Sequence, residues 1–96
     1  MASFNKKVEI PMVGQLIKID SNIRRDVAEE SFRKKAAEER NAKRRFAYEK
    51  AAEVLKLIGA HRGRLVSINH GTDHILTIKC AFDTKTQHDQ FTKAVS

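Results

Sequence analysis

Residues 20–59, DSNIRRDVAEESFRKKAAEERNAKRRFAYEKAAEVLKLIG, decide the fold, because between Gln15 and Ile58 there is neither Gly nor Pro and Ala, Glu, Lys and Arg dominate. Those residue types lose little conformational freedom on entering a helix. Asp20, Ser21 and Asn22 are successive N-cap candidates, and Asp26, Glu29 and Glu30 bring negative charge to the positive end of the helix dipole. Lys56 falls in the last turn, and Gly59, after Leu57 and Ile58, suits the left-handed position just past a helix end. One long helix over residues 21–58 is therefore predicted. A break near Asn41 is the alternative, since more than about 35 residues is long for a helix in so small a domain.

At about 100° per residue, Ala28, Phe32, Ala36 and Phe46 fall on one side of this helix, but Glu39 and Lys43 lie on the same line. The middle of the apolar stripe is charged. The last third, with Phe46, Ala47, Ala51, Val54, Leu55 and Ile58, has a broader apolar face expected to pack on a sheet. The rest would project, or pair with a second copy.

The charge is concentrated in the same region. The chain carries a formal net charge of +7 over 96 residues. Between positions 33 and 45, Arg33, Lys34, Lys35, Arg40, Lys43, Arg44 and Arg45 stand against Glu38 and Glu39, which leaves five of those seven charges there. On a continuous wheel Arg33, Lys34, Arg40, Arg44 and Arg45 share a sector with Tyr48, while Glu38, Glu49 and Glu53 lie on the other side. Arg40 and Arg44 have no acid three or four positions away and read as the freest cations on the helix. Guanidinium forks bind phosphate and carboxylate bidentately, so this flank suits nucleic acid or an acidic protein surface. Tyr48, one turn beyond Arg44, is placed to stack on that guanidinium or on a base, or else to form the rim of the core. Arg62 and Arg64, interleaved with Gly63 after the helix, form a second basic element. Five phosphate contacts would give a log–log salt slope of about −4.5. The plainer reading is a charged face that keeps a helix solvated.

The flanks supply strands. Val8 and Ile10 alternate, Pro11 and Gly14 interrupt, and the apolar parity shifts to Ile17 and Ile19, which predicts either two short strands around a turn or one strand with a bulge. Leu65 to Ile68 and Ile75 to Cys80 are β-rich runs separated by turn-forming residues. An odd loop, Gly71-Thr72-Asp73, would oppose Ile68 to Leu76 and Val66 to Ile78. Thr84 and Gln87 have capping-box spacing, and Phe91, Ala94 and Val95 give a short helix its inner face. The expected architecture is α+β in a single domain: an N-terminal strand or hairpin (1–20), one long basic helix (21–58), a C-terminal antiparallel β-hairpin (64–82) and a short helix (84–95).

Several chemistries find no support in the residues. There is no phosphate loop, nucleophile elbow, paired-cysteine zinc motif or HExxH helix. His70, His74, Asp73 and His61 read as turn-surface residues rather than metal ligands, so no metal, cofactor or catalytic activity is expected. The lone Cys80 sits in an apolar run and fits a reducing compartment, the residues before Lys7 lack an apolar leader, and the longest uncharged stretch is too short to span a bilayer. The expectation is a cytoplasmic, non-membrane binding module that docks a basic helix on nucleic acid or a nucleic-acid-handling protein. The alternatives are a small inhibitor or adaptor of the phage or mobile-element type that binds an acidic host surface, and self-assembly as a homodimer through the long helix.

Overall fold

A computed structural model describes residues 3–20 and 22–95. Ser21, the middle capping candidate, lies outside the described residues, as do Met1 and Ala2 of the leader reading and Ser96. The elements in order are β1 (Phe4–Pro11), α1 (Arg25–Glu38), α2 (Ala42–Ala60), β2 (Arg64–His70), β3 (Ile75–Phe82) and α3 (Lys85–Val95). The α+β class, the C-terminal hairpin and the closing helix are as expected. The basic segment, however, is two helices.

The break falls at Glu39-Arg40-Asn41, with Glu39 and Asn41 both in extended conformation. Asn41 caps α2: its Oδ1 accepts from the Arg44 amide at 3.1 Å, and the Glu39 carboxylate accepts from the Asn41 amide at 3.1 Å. A continuous helix would have carried Glu39 and Lys43 along its apolar stripe. Folding back instead lets Ala28, Phe32 and Ala36 of α1 pack against α2, with the Phe32 and Tyr48 rings 6.2 Å apart. The αα-hairpin thus hides both stripes, which polar residues in the middle of one long stripe could not do. At the other end Arg25 ties the helices together, donating to the Leu55 carbonyl at 2.9 Å and to Glu29 at 2.8 Å. Gly59 is therefore not the residue past the helix end; it lies within α2, where a Cβ would stand 2.7 Å from the Arg25 guanidinium carbon.

The sheet has three antiparallel strands in the order β1-β3-β2. Its inner face carries Val8, Ile10, Ile68, Leu76, Ile78, Cys80 and Phe82, packed with the buried face of α2 and with Phe91 of α3, whose ring is 5.0 Å from that of Phe82. The other face carries Asn5, Lys7, Glu9, Asn69 and Lys79, all exposed, as an antiparallel sheet allows. β1 is one strand, and its pairing continues past Pro11 through Met12, whose amide donates to the His74 carbonyl at 2.8 Å. The hairpin loop is odd but sits one residue later than expected, so Ile68 pairs with Ile78 rather than Leu76. His74 takes φ 62°, its amide donates to the Gly71 carbonyl, and Asp73 Oδ1 accepts from the Ile75 amide at 3.1 Å. Val66 is the extra residue of a bulge and points out, 55% exposed, instead of opposing Ile78. At α3 half of the capping box forms: the Gln87 amide donates to Thr84 Oγ1 at 3.2 Å, while Gln87 Oε1 has no partner among the described residues. No helix among the described residues is long and apolar enough to cross a membrane.

Candidate functional site

Because α2 starts afresh at Asn41, its helical phase is its own. Ala47, Tyr48, Ala51, Ala52, Val54, Leu55 and Ile58 are buried, and the centre of that arc passes through Arg44. Arg44 is accordingly not free. Its side chain is only 15% exposed; Nε donates to the Tyr48 hydroxyl at 2.9 Å, Nη1 to the Val13 carbonyl at 2.9 Å and Nη2 to the Gln15 carbonyl at 2.7 Å. Glu39 lies 3.6 Å away, and the guanidinium carbon stands 5.4 Å from the Tyr48 ring centre. Tyr48 does meet Arg44 as the spacing suggested, but it is buried and unavailable to an outside base.

The partner of Arg44 is the strap after β1, residues 12–17. His70 holds the same strap from β2: its Nδ1 accepts from the Ile17 amide at 3.1 Å, so the proton of the neutral ring is on Nε2 and is donated to the Met12 carbonyl at 2.8 Å. His70 is thus a latch rather than a turn-surface residue. Gly14, with φ 122°, is where the strap turns under the guanidinium; a Cβ there would overlap Arg44.

The remaining cations divide into three groups. Lys34, Arg40, Lys43 and Arg45 are exposed and, among the described residues, their side chains make no hydrogen bond or ion pair. All four lie at the turn that joins α1 and α2 or within two helical turns of it. Arg33 is engaged, since its Nη2 and Nε both donate to Glu29 Oε2, at 3.0 and 3.2 Å. Partial burial alone would raise the Glu29 carboxyl, but the hydrogen bonds and charges of Arg25 and Arg33 outweigh it and hold the group below its ordinary value of 4.5. Arg33 and Arg45 face one groove of about 480 Å³ between the helices, floored by Ala36, Ala37 and Ala52, but Glu49 and Glu53 share its wall. The groove is mixed in charge; at the hairpin turn the four cations stand beside the exposed Glu38, while the Glu39 carboxylate is taken up by the Asn41 amide and Arg44.

Arg62 and Arg64 belong to the far end of α2, about 28 Å away along a 19-residue helix. Arg62 ends that helix in the left-handed region, φ 59°, with its amide on the Gly59 carbonyl and the Gly63 amide on that of Ile58 at 2.8 Å, an arrangement in which glycine normally stands. Arg64 is paired with Asp83 at 2.6 Å. The sequence-derived candidates therefore form no single patch. Among the described residues no three His, Cys, Asp or Glu side chains converge as a metal site. Burial pushes the Cys80 thiol up to about 11, against a smaller opposing pull from Lys6, so at neutral pH it is a protonated apolar filler.

Besides Val66, two residues assigned to inner faces are not there: Ala94 of α3 is exposed, and so is Phe46. Phe46 is 67% exposed, because the phase that put it beside Phe32 ran through the break. The signal for its true position is local: Phe46 is half a turn out of step with Arg44, Tyr48, Ala51 and Leu55. The Phe32 stripe, proposed as a pairing surface for a second copy, is filled by α2 of the same chain. No family model, curated protein or solved structure matches the chain.

Proposed function

We propose that this protein is a non-catalytic binding module that presents the turn of its αα-hairpin to a polyanion, with nucleic acid as the partner. The observation that carries the reading is the cluster of Lys34, Arg40, Lys43 and Arg45, exposed and without internal partners at one end of the helical pair. None of these side chains is paired with a carboxylate among the described residues, and phosphates spaced along a strand accept several such cations at once. Arg44 supports the surface from beneath instead of touching the ligand. Arg62 and Arg64 lie too far along α2 to share a compact footprint with the turn.

Four phosphate contacts would give a log–log salt slope of about −3.6 on a duplex and about −2.8 on a single strand, both shallower than the value for five. The test is fluorescence anisotropy of a labelled oligonucleotide at several salt concentrations, with the wild type and a Lys34→Glu/Arg40→Glu/Arg45→Glu variant. The expected result is a micromolar-range affinity at low salt that the variant loses while its unfolding midpoint is unchanged. Absence of binding at low salt, with capture of one acidic protein from the native host, would replace nucleic acid by a protein surface. That outcome would favour the inhibitor or adaptor reading.

A further inference from the structure

Resting on the reading above, we propose that the polyanion is single-stranded and that Phe46 is the platform on which one of its bases stacks. Phe46 is the most exposed of the described phenylalanines: Phe32, Phe82 and Phe91 are at most 2% exposed, Phe4 is half-buried, and Phe46 stands at 67%. It lies on the side of α2 opposite the buried arc, so its ring contributes nothing to the core. Its neighbours one turn away are Ala42 and Lys43 on one side and Glu49 and Lys50 on the other. Ala42 is too small to cover the ring. Lys43 lies one turn before the ring and Lys50 one turn after it, both exposed and with no internal side-chain bond among the described residues, while Glu49 beside Lys50 adds one exposed carboxylate.

An aromatic face flanked by cations matches a strand whose bases are splayed from a phosphate backbone. Every base has a π-face, and the phosphates on either side of the stacked nucleotide meet the lysines. A duplex has its base faces covered by stacking and would leave the ring in water. A symmetric pair of hairpins is less well matched, because it would bring Lys43 and Lys50 of both copies together around one ring each. A stable dimer buries about 800 Å² on each partner, and one phenylalanine contributes about 150–250 Å². The other large exposed apolar residues, Val13, Leu16, Val27 and Val66, lie on the strap, α1 and the bulge, not on this flank of α2.

The experiment compares a labelled oligothymidylate with a duplex of equal length, by anisotropy at low salt, for the wild type, Phe46→Ala and Phe46→Trp. Phe46 is exposed, so both variants are expected to fold, which circular dichroism and the unfolding midpoint check. Phe46→Ala should weaken single-strand binding by about 5- to 100-fold with little change in salt slope, and should leave duplex binding alone. Phe46→Trp should keep the affinity, and, because the chain has no Trp of its own, its fluorescence should be quenched as the oligonucleotide binds. Equal affinity for both oligonucleotides together with indifference to Phe46→Ala would overturn the stacking platform while leaving the cationic turn intact. Failure to bind either oligonucleotide would overturn the underlying reading. A wild-type dimer that Phe46→Ala dissociates in sedimentation, with single-strand affinity unaltered, would assign the ring to self-association and overturn the proposal.

Discussion

Two faces of the first turns of α2 hold neighbouring residues of similar composition and opposite roles. On the inner face Arg44 is drawn over Tyr48 and holds the strap by the Val13 and Gln15 carbonyls. On the outer face the side chains of Lys43, Arg45 and Phe46 reach water with no polar partner among the described residues. Charge counting treats these cations as equals. Helical phase separates them, and phase is set by where a helix starts. The same distinction divides the phenylalanines, since Phe32 closes the hairpin core and Phe46 leaves it.

The largest expected contrast is between those two rings. Phe32→Ala should lower stability by about 3–5 kcal/mol, as truncations of buried aromatics do, whereas Phe46→Ala should stay within about 0.5 kcal/mol. Urea unfolding of both variants checks this, and equal losses would mean that Phe46 packs somewhere after all. Next come the arginines. Arg44→Met keeps much of the aliphatic stem but removes three hydrogen bonds, and should cost about 2–3 kcal/mol; Arg40→Ala should be nearly neutral. If Arg44→Met were harmless in the same unfolding assay, the strap would not depend on α2, and the contrast between the two faces would dissolve.

A smaller effect of opposite sign is expected at the far end of α2. Arg62→Gly relieves a left-handed side chain and should raise the thermal midpoint, by about 0.5–1 kcal/mol in stability, without altering binding at the hairpin turn. The smallest is electrostatic. The Glu29 carboxyl is held below its unfolded-state value, so its contribution is complete above about pH 4.5 and is lost as pH falls through the lower folded value. Glu29→Gln should flatten that acid limb of a stability–pH curve. An unchanged limb would mean that the Arg25 and Arg33 pairs contribute nothing measurable.

How far the residues disclosed this arrangement varied with the kind of interaction involved. β3 was plain, because Leu76, Ile78, Cys80 and Phe82 alternate at the period of a strand and all four are buried. The odd parity of the hairpin loop was legible too, although its position depended on an Asp73 side-chain bond and a left-handed His74 that composition does not reveal. The helix break was harder, for Glu39-Arg40-Asn41 contains neither Gly nor Pro. Its trace was the charged middle of the supposed apolar stripe, together with an Asn able to cap a new start. Once that trace is taken as a reset of phase, Arg44 moves inward and Phe46 outward. The strap carried no periodic signal, since what fixes it is a pair of long-range polar contacts from Arg44 and His70. As for the candidate site, Lys34, Arg40 and Arg45 remain exposed as read, while Arg33, Arg44 and Arg64 are engaged by residues distant in sequence or one turn away.

The most direct measurement is a two-dimensional ¹⁵N–¹H NMR titration of the full chain with a short single-stranded oligonucleotide at low salt. Shift changes should concentrate at Lys34, Arg40, Lys43, Arg45 and Phe46, with the amides of Arg62 and Arg64 unmoved. Changes centred on Arg62 and Arg64, or none across the hairpin turn, would contradict the account.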